Sequence, residues 1–498
     1  MKTLKLFIVA LFLSMIGAGN SAEAIKRDGK KNAVIITIHF KNHQAADTLD
    51  LYLWDAQNFE QYQKIYRKKI SNDACSFALN IDHPVTVGLM LEETSLYSSD
   101  KAHYAKYGDI VAPGDRLHLE VGENMDMGIQ NIHFSGTGAK KYRLIQELIT
   151  RINGKSRKLP INMSIDELFA QADSDRQESL RIIGKYKTQL SPLDYELLKF
   201  ESIDHAYHSA ISRLLSSPTE LGQMQKYQRR IVRTRKELTS IIACYDLSNL
   251  LLMRSLAYLE HMFKTGKAYD RSYYSAHPYR EYQIIKSAYN KNRQVCEAML
   301  SQYVASAIVR KGLNAEKEKC ALDLFHFTKR TGTNYRQVAA IFQLYKNSLS
   351  SGNKAYGFAL PDTNGHIIRQ ADFKGRLMVI DFFFNGCVGC ITTAPILDSL
   401  ETIYENKPVA FVSVSADRTK QQWKKGIGIF SSKRSIQLFT EGKTTEHPMI
   451  RYYQVSTYPT IVLVGKDGDV ITARAPDPRT PDGWKALCSL LDAELSKQ

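Results

Sequence analysis

One stretch near the C-terminal end limits the possible folds more than any other part of the chain. Residues 378–384 form an apolar run, interrupted by one aspartate and rich in β-branched and aromatic side chains, which is typical of a buried strand. A turn of small residues follows and places the pair Cys387-Val-Gly-Cys390 at the start of a helical pattern. A Cys-x-x-Cys pair between a strand and a helix indicates a redox-active dithiol. The alternative is half of a zinc site, but the second pair of ligands is missing.

The first residues of the chain indicate where it works. Residues 1–24 combine a basic start (Lys2, Lys5), an apolar run at 6–16 and a small-x-small cleavage site at 22–24, which is the pattern of a secretory signal. The apolar run is too short for a transmembrane helix. We therefore expect an extracytoplasmic protein of the periplasm or cell envelope, with no transmembrane span after signal removal.

The net charge of the chain is strongly positive, +16 in total. Part of this charge lies in one helical segment, at Lys226, Arg229, Arg230, Arg233, Arg235 and Lys236. Such a segment attracts acidic clients or anionic envelope surfaces, or it is simply the solvated face of a helix. Export removes the chain from nucleic acid, so no nucleic-acid partner is expected.

Five cysteines lie outside the dithiol motif and have no framework spacing: Cys75, Cys244, Cys296, Cys320 and Cys488. An odd number of thiols cannot pair completely within one chain. We expect most of them to be buried and inert.

With 498 residues, the chain is long enough for about three domains. Residues 25–138 alternate between apolar and polar side chains and predict an N-terminal antiparallel β domain of sandwich or barrel type. Strands are predicted at 33–40, 48–54, 85–91 and 115–121. Scaffolding or partner binding is the expected role of this domain, because no catalytic residues concentrate in it.

Residues 139–350 have a helical period and predict an α-helical middle domain. Helices are predicted at 192–214, after the N-cap Ser191, and at 250–263, 279–309 and 318–327. His205 and His208 have metal-ligand spacing but no third ligand, so we interpret them as partly exposed helix residues. A tyrosine-rich cluster at 269–293 is either a peptide groove or ordinary helix packing.

Residues 351–498 alternate between strand and helix patterns, which predicts a central sheet covered by helices. Strands are predicted at 377–384, 409–414, 460–464 and 469–474, and helices at 387–404, 418–429 and after Thr480-Pro481. Cys387 then begins a helix, where free N–H groups and the helix dipole stabilise a thiolate. We therefore predict that Cys387 has a lowered pKa and attacks a client disulfide, and that Cys390 resolves the mixed disulfide.

The motifs of this C-terminal region resemble those of a known family. Phe358–Gly365 and Asp372–Gly375 precede the strand and the Cys-x-x-Cys pair, and Tyr452–Val464 contains a Tyr-Pro-Thr sequence before a strand. Together they resemble the TlpA-like branch of the thioredoxin superfamily over about residues 355–498. The preceding β and helical regions are similar to the N-terminal extensions of some envelope members.

The resemblance implies a role for each matching residue. Cys387 is the nucleophile and Cys390 the resolving thiol, and their reversible disulfide is the redox centre, so no other cofactor is expected. Asp381 matches a buried acid that exchanges a proton with Cys390, and burial would raise its pKa. Pro459 matches a cis-proline beside the dithiol, and Tyr458 offers main-chain hydrogen bonds to an extended client.

The sequence departs from the family pattern near the dithiol. Gly386 stands where thioredoxins usually have tryptophan, and Val388-Gly389 replaces Gly-Pro. We expect both changes to alter the surface and the redox potential. Thr393 stands where cytochrome-maturation members typically have glutamate, which argues against a dedicated apocytochrome role.

The leading hypothesis is an exported thiol–disulfide oxidoreductase, a reductase or isomerase of envelope protein disulfides. Its partners would be disulfide-bearing client proteins and an envelope dithiol that donates electrons. One alternative is a redoxin-type thiol peroxidase, although Phe384 stands where those enzymes place Thr or Ser. The other is a non-enzymatic envelope binding protein with a structural thioredoxin domain, and retention of both cysteines argues against it.

Overall fold

The computed structural model describes residues 33–41, 48–54, 64–91, 110–122, 132–148, 150–151, 163–216, 224–240, 247–330 and 332–497. The predicted signal segment at 1–24 and Cys244 lie outside these residues. Within them, one compact unit is built mainly from the strands and the helix before residue 148, and a second mainly from the chain that follows.

The N-terminal unit consists of two sheets. Its strands are β1 (Ala33–Phe40), β2 (Thr48–Trp54), β3 (Lys64–Lys69), β4 (Ala74–Asn80), β5 (Val85–Leu91), β6 (Ile110–Val111), β7 (Arg116–Val121) and β8 (Ile132–Thr137), followed by helix α1 (Ala139–Leu148). The strand orders are β4-β1-β7-β8 and β3-β2-β5-β6. The predicted strands are present, but β1 and β7 pair in parallel. The prediction of an antiparallel domain was therefore wrong for this pair of strands, because alternation along a strand does not determine which distant strand lies beside it.

The chain from residue 165 to residue 344 is helical in the described part. Its helices are α2 (Ile165–Lys185), α3 (Pro192–Ser216), α4 (Gln228–Ser240), α5 (Leu247–Thr265), α6 (Arg271–Ala276), α7 (Pro278–Tyr289), α8 (Arg293–Lys311), α9 (Ala315–Phe327) and α10 (Thr333–Leu344). The single helix predicted at 279–309 is divided into α7 and α8. The division occurs because the Asn292 side chain accepts a hydrogen bond from the Val295 N–H and caps a new helix.

Two histidines of this region have the spacing of metal ligands. His205 and His208 are partly buried on α3. Among the described residues, no cluster of three or more His, Cys, Asp or Glu is suited to a metal ion. None of the helices that the structure describes is both long and apolar enough to cross a membrane.

The C-terminal region is an α/β domain around one five-stranded sheet of order β13-β12-β11-β14-β15. Its elements are β9 (Ala359–Pro361), β10 (Ile367–Arg369), β11 (Leu377–Phe383), α11 (Val388–Ile403), β12 (Val409–Ser415), α12 (Lys420–Gly426), β13 (Ile436–Phe439), α13 (Pro448–Tyr452), β14 (Thr460–Val464), β15 (Val470–Thr472) and α14 (Pro481–Leu495). The central strand β11 runs parallel to β12 and antiparallel to β14. Every residue of β11 is buried, and this packing fixes the position of the C-terminal end of the strand.

One arginine ties this domain to the helical region. The guanidinium of Arg474 donates hydrogen bonds to the carbonyl oxygens of Val309 on α8 (2.5 Å), Tyr453 (2.9 Å) and Gln454 (2.6 Å). Arg474 also stacks over the ring of Tyr345, with the guanidinium carbon 5.8 Å from the ring centre. The end of α8 is thereby fastened to the loop that precedes β14.

Candidate active site

The dithiol lies where β11 ends and α11 begins. Cys387 is the N-cap of α11, and its Sγ accepts a hydrogen bond from the N–H of Cys390 at 3.0 Å. The two cysteines form a disulfide with their Cα atoms 5.2 Å apart. This position places the sulfur of Cys387 against the free N–H groups at the start of a helix, which favour negative charge. The site therefore has the local geometry that a reactive thiolate requires.

The surroundings of the dithiol are apolar. Cys387 and Cys390 are 4% and 1% exposed and pack with Phe383, Trp423 and Phe439. By contrast, Val388 between the two cysteines is 75% exposed. The disulfide therefore packs against a buried apolar core, while Val388, between the two cysteines, faces solvent.

The predicted cis-proline lies directly against the dithiol loop. The Tyr458–Pro459 peptide is cis. A Cβ built on Gly389 would lie 3.0 Å from Pro459 Cδ and 3.3 Å from the Tyr458 carbonyl oxygen, so only glycine fits there without displacing a neighbour. The ring of Tyr458 meets Phe384 edge to face at 5.1 Å. The structure therefore brings the two predicted client-contacting residues together with the dithiol.

Asp381 lies in the middle of β11 and is 3% exposed. Its Oδ1 has no hydrogen-bond partner among the described residues. Burial, together with the charge of Glu401, raises the pKa of Asp381 to about 8. A carboxyl group with such a pKa can accept and return a proton near neutral pH.

A second buried carboxyl group was not predicted from the sequence. Glu401 is on α11 and is 8% exposed, and burial raises its pKa to about 7. Three turns separate it from Cys390 on the same helix. In the sequence it resembles any polar residue of a surface helix, and only the packing of α11 on the sheet reveals its burial. Its charge is, after burial, the second cause of the raised pKa of Asp381.

The turn before the dithiol is held by another buried acid that the sequence did not single out. Asp417 follows β12 and accepts hydrogen bonds from the N–H of Asn385 (2.7 Å) and the hydroxyl of Ser415 (2.8 Å). Burial raises the pKa of Asp417. These bonds fix the backbone two residues before Cys387.

The C-terminal domain is similar to several known proteins. Residues 375–470 match a family model described as Thioredoxin-like. The thiol-disulfide oxidoreductase ResA of Bacillus cereus is 29% identical over 136 residues, which are 26% of this chain and 76% of ResA. For ResA of Bacillus subtilis the identity is 28% over 127 residues, 25% of this chain and 68% of ResA. The thioredoxin domain of a thiol-disulfide oxidoreductase from Bacteroides vulgatus is 28% identical, covering 25% of this chain and 88% of that structure with a TM-score of 0.23.

The fold and the dithiol define the C-terminal domain as a thioredoxin-like domain. Within that class it is similar to the ResA and TlpA-like thiol–disulfide oxidoreductases, so the predicted family is confirmed over this region. The same match supports thiol–disulfide oxidoreductase activity for this domain.

Proposed function

We propose that this chain is an exported reductase or isomerase of protein disulfides in the cell envelope. One observation carries the proposal: Cys387 caps the start of α11, directly bonded to Cys390 beneath it. A capped, thiolate-stabilising cysteine with a buried partner is the arrangement that thiol–disulfide exchange needs. The secretory pattern at the N-terminus is the basis for placing the reaction outside the cytosol.

The reaction consists of two exchanges. In the reduced protein, the Cys387 thiolate attacks one sulfur of a client disulfide, forms a mixed disulfide and releases the other client sulfur as a thiolate. Cys390 then attacks the sulfur of Cys387, which re-forms the Cys387–Cys390 bond and releases the second client thiol. Two electrons pass to the client in total. A dithiol donor in the envelope must return them to the protein for the next turnover.

Asp381 is the proposed proton acceptor for Cys390. Cys390 must lose its proton before it attacks, and it is buried in an apolar cluster where no solvent base is at hand. The carboxylate of Asp381 can take that proton because its pKa of about 8 lies near the working pH. In the reverse direction the same group returns the proton.

Insulin reduction with dithiothreitol as donor tests the proposal. The wild-type protein should accelerate precipitation of the insulin B chain, and Cys387→Ser should abolish the acceleration. Cys488→Ser, a cysteine outside the motif, should retain full activity and serves as the matched control. Unchanged activity in Cys387→Ser would refute the mechanism. Cys390→Ser should accumulate mixed disulfides in envelope extracts, and mass spectrometry of these would identify the clients.

A further inference from the structure

An arginine that the reaction scheme does not use lies beside the dithiol loop. Arg479 belongs to the turn between β15 and α14. Its Nε and Nη2 donate to the two carboxylate oxygens of Asp477, at 2.9 and 2.7 Å. Its main-chain N–H also donates to Asp477, at 3.0 Å. This three-point attachment fixes the plane of the guanidinium, although the side chain is 36% exposed.

The remaining nitrogen of this guanidinium points at the active site. A Cβ built on Gly389 would lie 2.9 Å from Arg479 Nη1, closer than to Pro459 Cδ at 3.0 Å. Arg479, the cis-proline and the dithiol loop therefore meet at one point. Arg479 Nη1 has no hydrogen-bond partner among the described residues. A donor on a partly exposed side chain, held in place beside a reactive centre, is placed to bind a ligand.

The charge of the arginine indicates which ligand it suits. The carboxylate of Asp477 offsets most of the positive charge, so the guanidinium exerts little net field on the cysteine sulfur or on distant acidic groups. The guanidinium still offers an N–H donor at Nη1, whose direction is fixed by the bonds to Asp477. Such a donor can bond an acceptor oxygen that lies at a fixed position. An extended client segment beside Pro459 has a main-chain carbonyl oxygen on every residue and can provide one.

We propose that Arg479 is a specificity-determining residue whose Nη1 donates a hydrogen bond to a main-chain carbonyl of the client, next to its disulfide. The inference rests on the proposed function and adds a substrate class to it: disulfides carried by an extended polypeptide, in preference to small disulfides. Asp477 positions the donor, and Gly389 leaves the space for it.

Single-turnover kinetics of the pre-reduced protein test the inference. The disulfides are a capped peptide containing a cystine and no acidic side chain, the same peptide with one glutamate beside the cystine, and bis(2-hydroxyethyl) disulfide, which has no main chain. The variants are Arg479→Ala, Arg479→Lys and the matched control Arg451→Ala, which removes an exposed arginine that is likewise paired with a neighbouring carboxylate, that of Glu446. Thermal unfolding of each variant confirms that it folds.

The expected result is selective. Arg479→Ala should lower the second-order rate constant for the neutral peptide by about tenfold, as for loss of one hydrogen bond from a charged donor. The rate with bis(2-hydroxyethyl) disulfide should not change. Arg479→Lys should restore only part of the rate, since the single nitrogen of lysine cannot lie against Asp477 and also occupy the position of Nη1. Arg451→Ala should match the wild type.

Three results would overturn the inference. An equal loss with all three disulfides, together with a shifted thiolate titration at 240 nm, would show that Arg479 acts on the cysteine instead. A loss confined to the glutamate peptide would show recognition of a client side chain. No loss with any disulfide would show no role in binding. If the wild-type protein itself reduces none of them, the proposed function fails, independently of Arg479.

Discussion

Replacing Asp381 by asparagine should make the C-terminal domain more stable, and the gain should depend on pH. The carboxyl group is 3% exposed, its Oδ1 has no hydrogen-bond partner in the described part of the chain, and its pKa is raised to about 8. In the unfolded chain an aspartate has its ordinary pKa of 3.8. Between these two pH values the folded state holds a proton that the unfolded state releases. Stability therefore falls as pH rises through this window.

The magnitude follows from the same two pKa values. At pH 7 the unfolded aspartate lies about 3 pH units above its pKa, and each unit corresponds to about 1.4 kcal/mol, so keeping the folded group protonated costs on the order of 4 kcal/mol. Asparagine has no proton to lose and nearly the same shape. The variant should gain a few kcal/mol of unfolding free energy at pH 7 and almost nothing at pH 3.

The C-terminal domain can be followed by its own tryptophans. The chain has three, of which Trp423 and Trp484 lie in this domain, so a Trp54→Phe background leaves only these two tryptophans to be excited selectively. Urea unfolding followed by tryptophan fluorescence, at intervals from pH 4 to pH 8, then gives the free energy of unfolding of wild type and variant. The slope with pH should be steep in the wild type and much smaller in Asp381→Asn.

The control is Asp482→Asn, which changes an exposed carboxyl group of the same domain and should leave the slope unchanged. The reasoning fails if Asp381→Asn keeps the wild-type slope, or if it is less stable than the wild type at pH 7. Either result would mean that the aspartate is ionised and well solvated in the folded protein.

Three further changes test the structure around the site. Glu401→Gln removes a negative charge that raises the pKa of Asp381, so that pKa should fall. A carboxyl titration by isotope-edited infrared spectroscopy would detect the change. An unchanged pKa would contradict the electrostatic interaction between the two residues. Gly389→Val forces a side chain against Pro459 and should lower the free energy of unfolding by about 1–3 kcal/mol, measured in urea. An unchanged free energy of unfolding would show that the dithiol loop moves to make room for the side chain. Trp423→Ala empties a fully buried site stacked on Phe439 at 5.1 Å and should cost about 3–5 kcal/mol by the same measurement, with a loss under 1 kcal/mol inconsistent with the packing.

Much of the C-terminal domain could be predicted because its signals are local. The apolar run before Cys387 and the Thr480-Pro481 cap each specify an element within a few residues, and the structure has both. Strand β13 was missed because Ile436–Phe439 is only four residues long and follows a serine-rich segment, so it has too few positions to show a period. The parallel pairing of β1 with β7 was missed because it joins residues about eighty positions apart.

The residues of the candidate site also fall into two groups, those that a local motif predicts and those that only the folded structure reveals. Cys387, Cys390, Asp381 and Pro459 stand at fixed intervals within recognisable motifs, so their positions could be predicted, while their roles await the experiments above. Glu401 and Arg479 could not be found in this manner. Each is an ordinary charged residue in its own segment, and its relation to the dithiol exists only after α11 and the turn before α14 have packed on the sheet.

The bonds of Arg474 have a consequence for how such chains can vary. Its four hydrogen-bond acceptors are all main-chain carbonyl oxygens, at Val309, Tyr453, Gln454 and Ala473. These hydrogen bonds depend on the path of the backbone and not on the identity of the side chains. The bonds themselves should survive sequence changes at those four positions as long as the backbone keeps its course, whereas loss of the arginine would remove them all, although the buried side chains of Val309 and Tyr453 have packing roles of their own. The helical region can therefore diversify while remaining fastened to the same oxidoreductase domain.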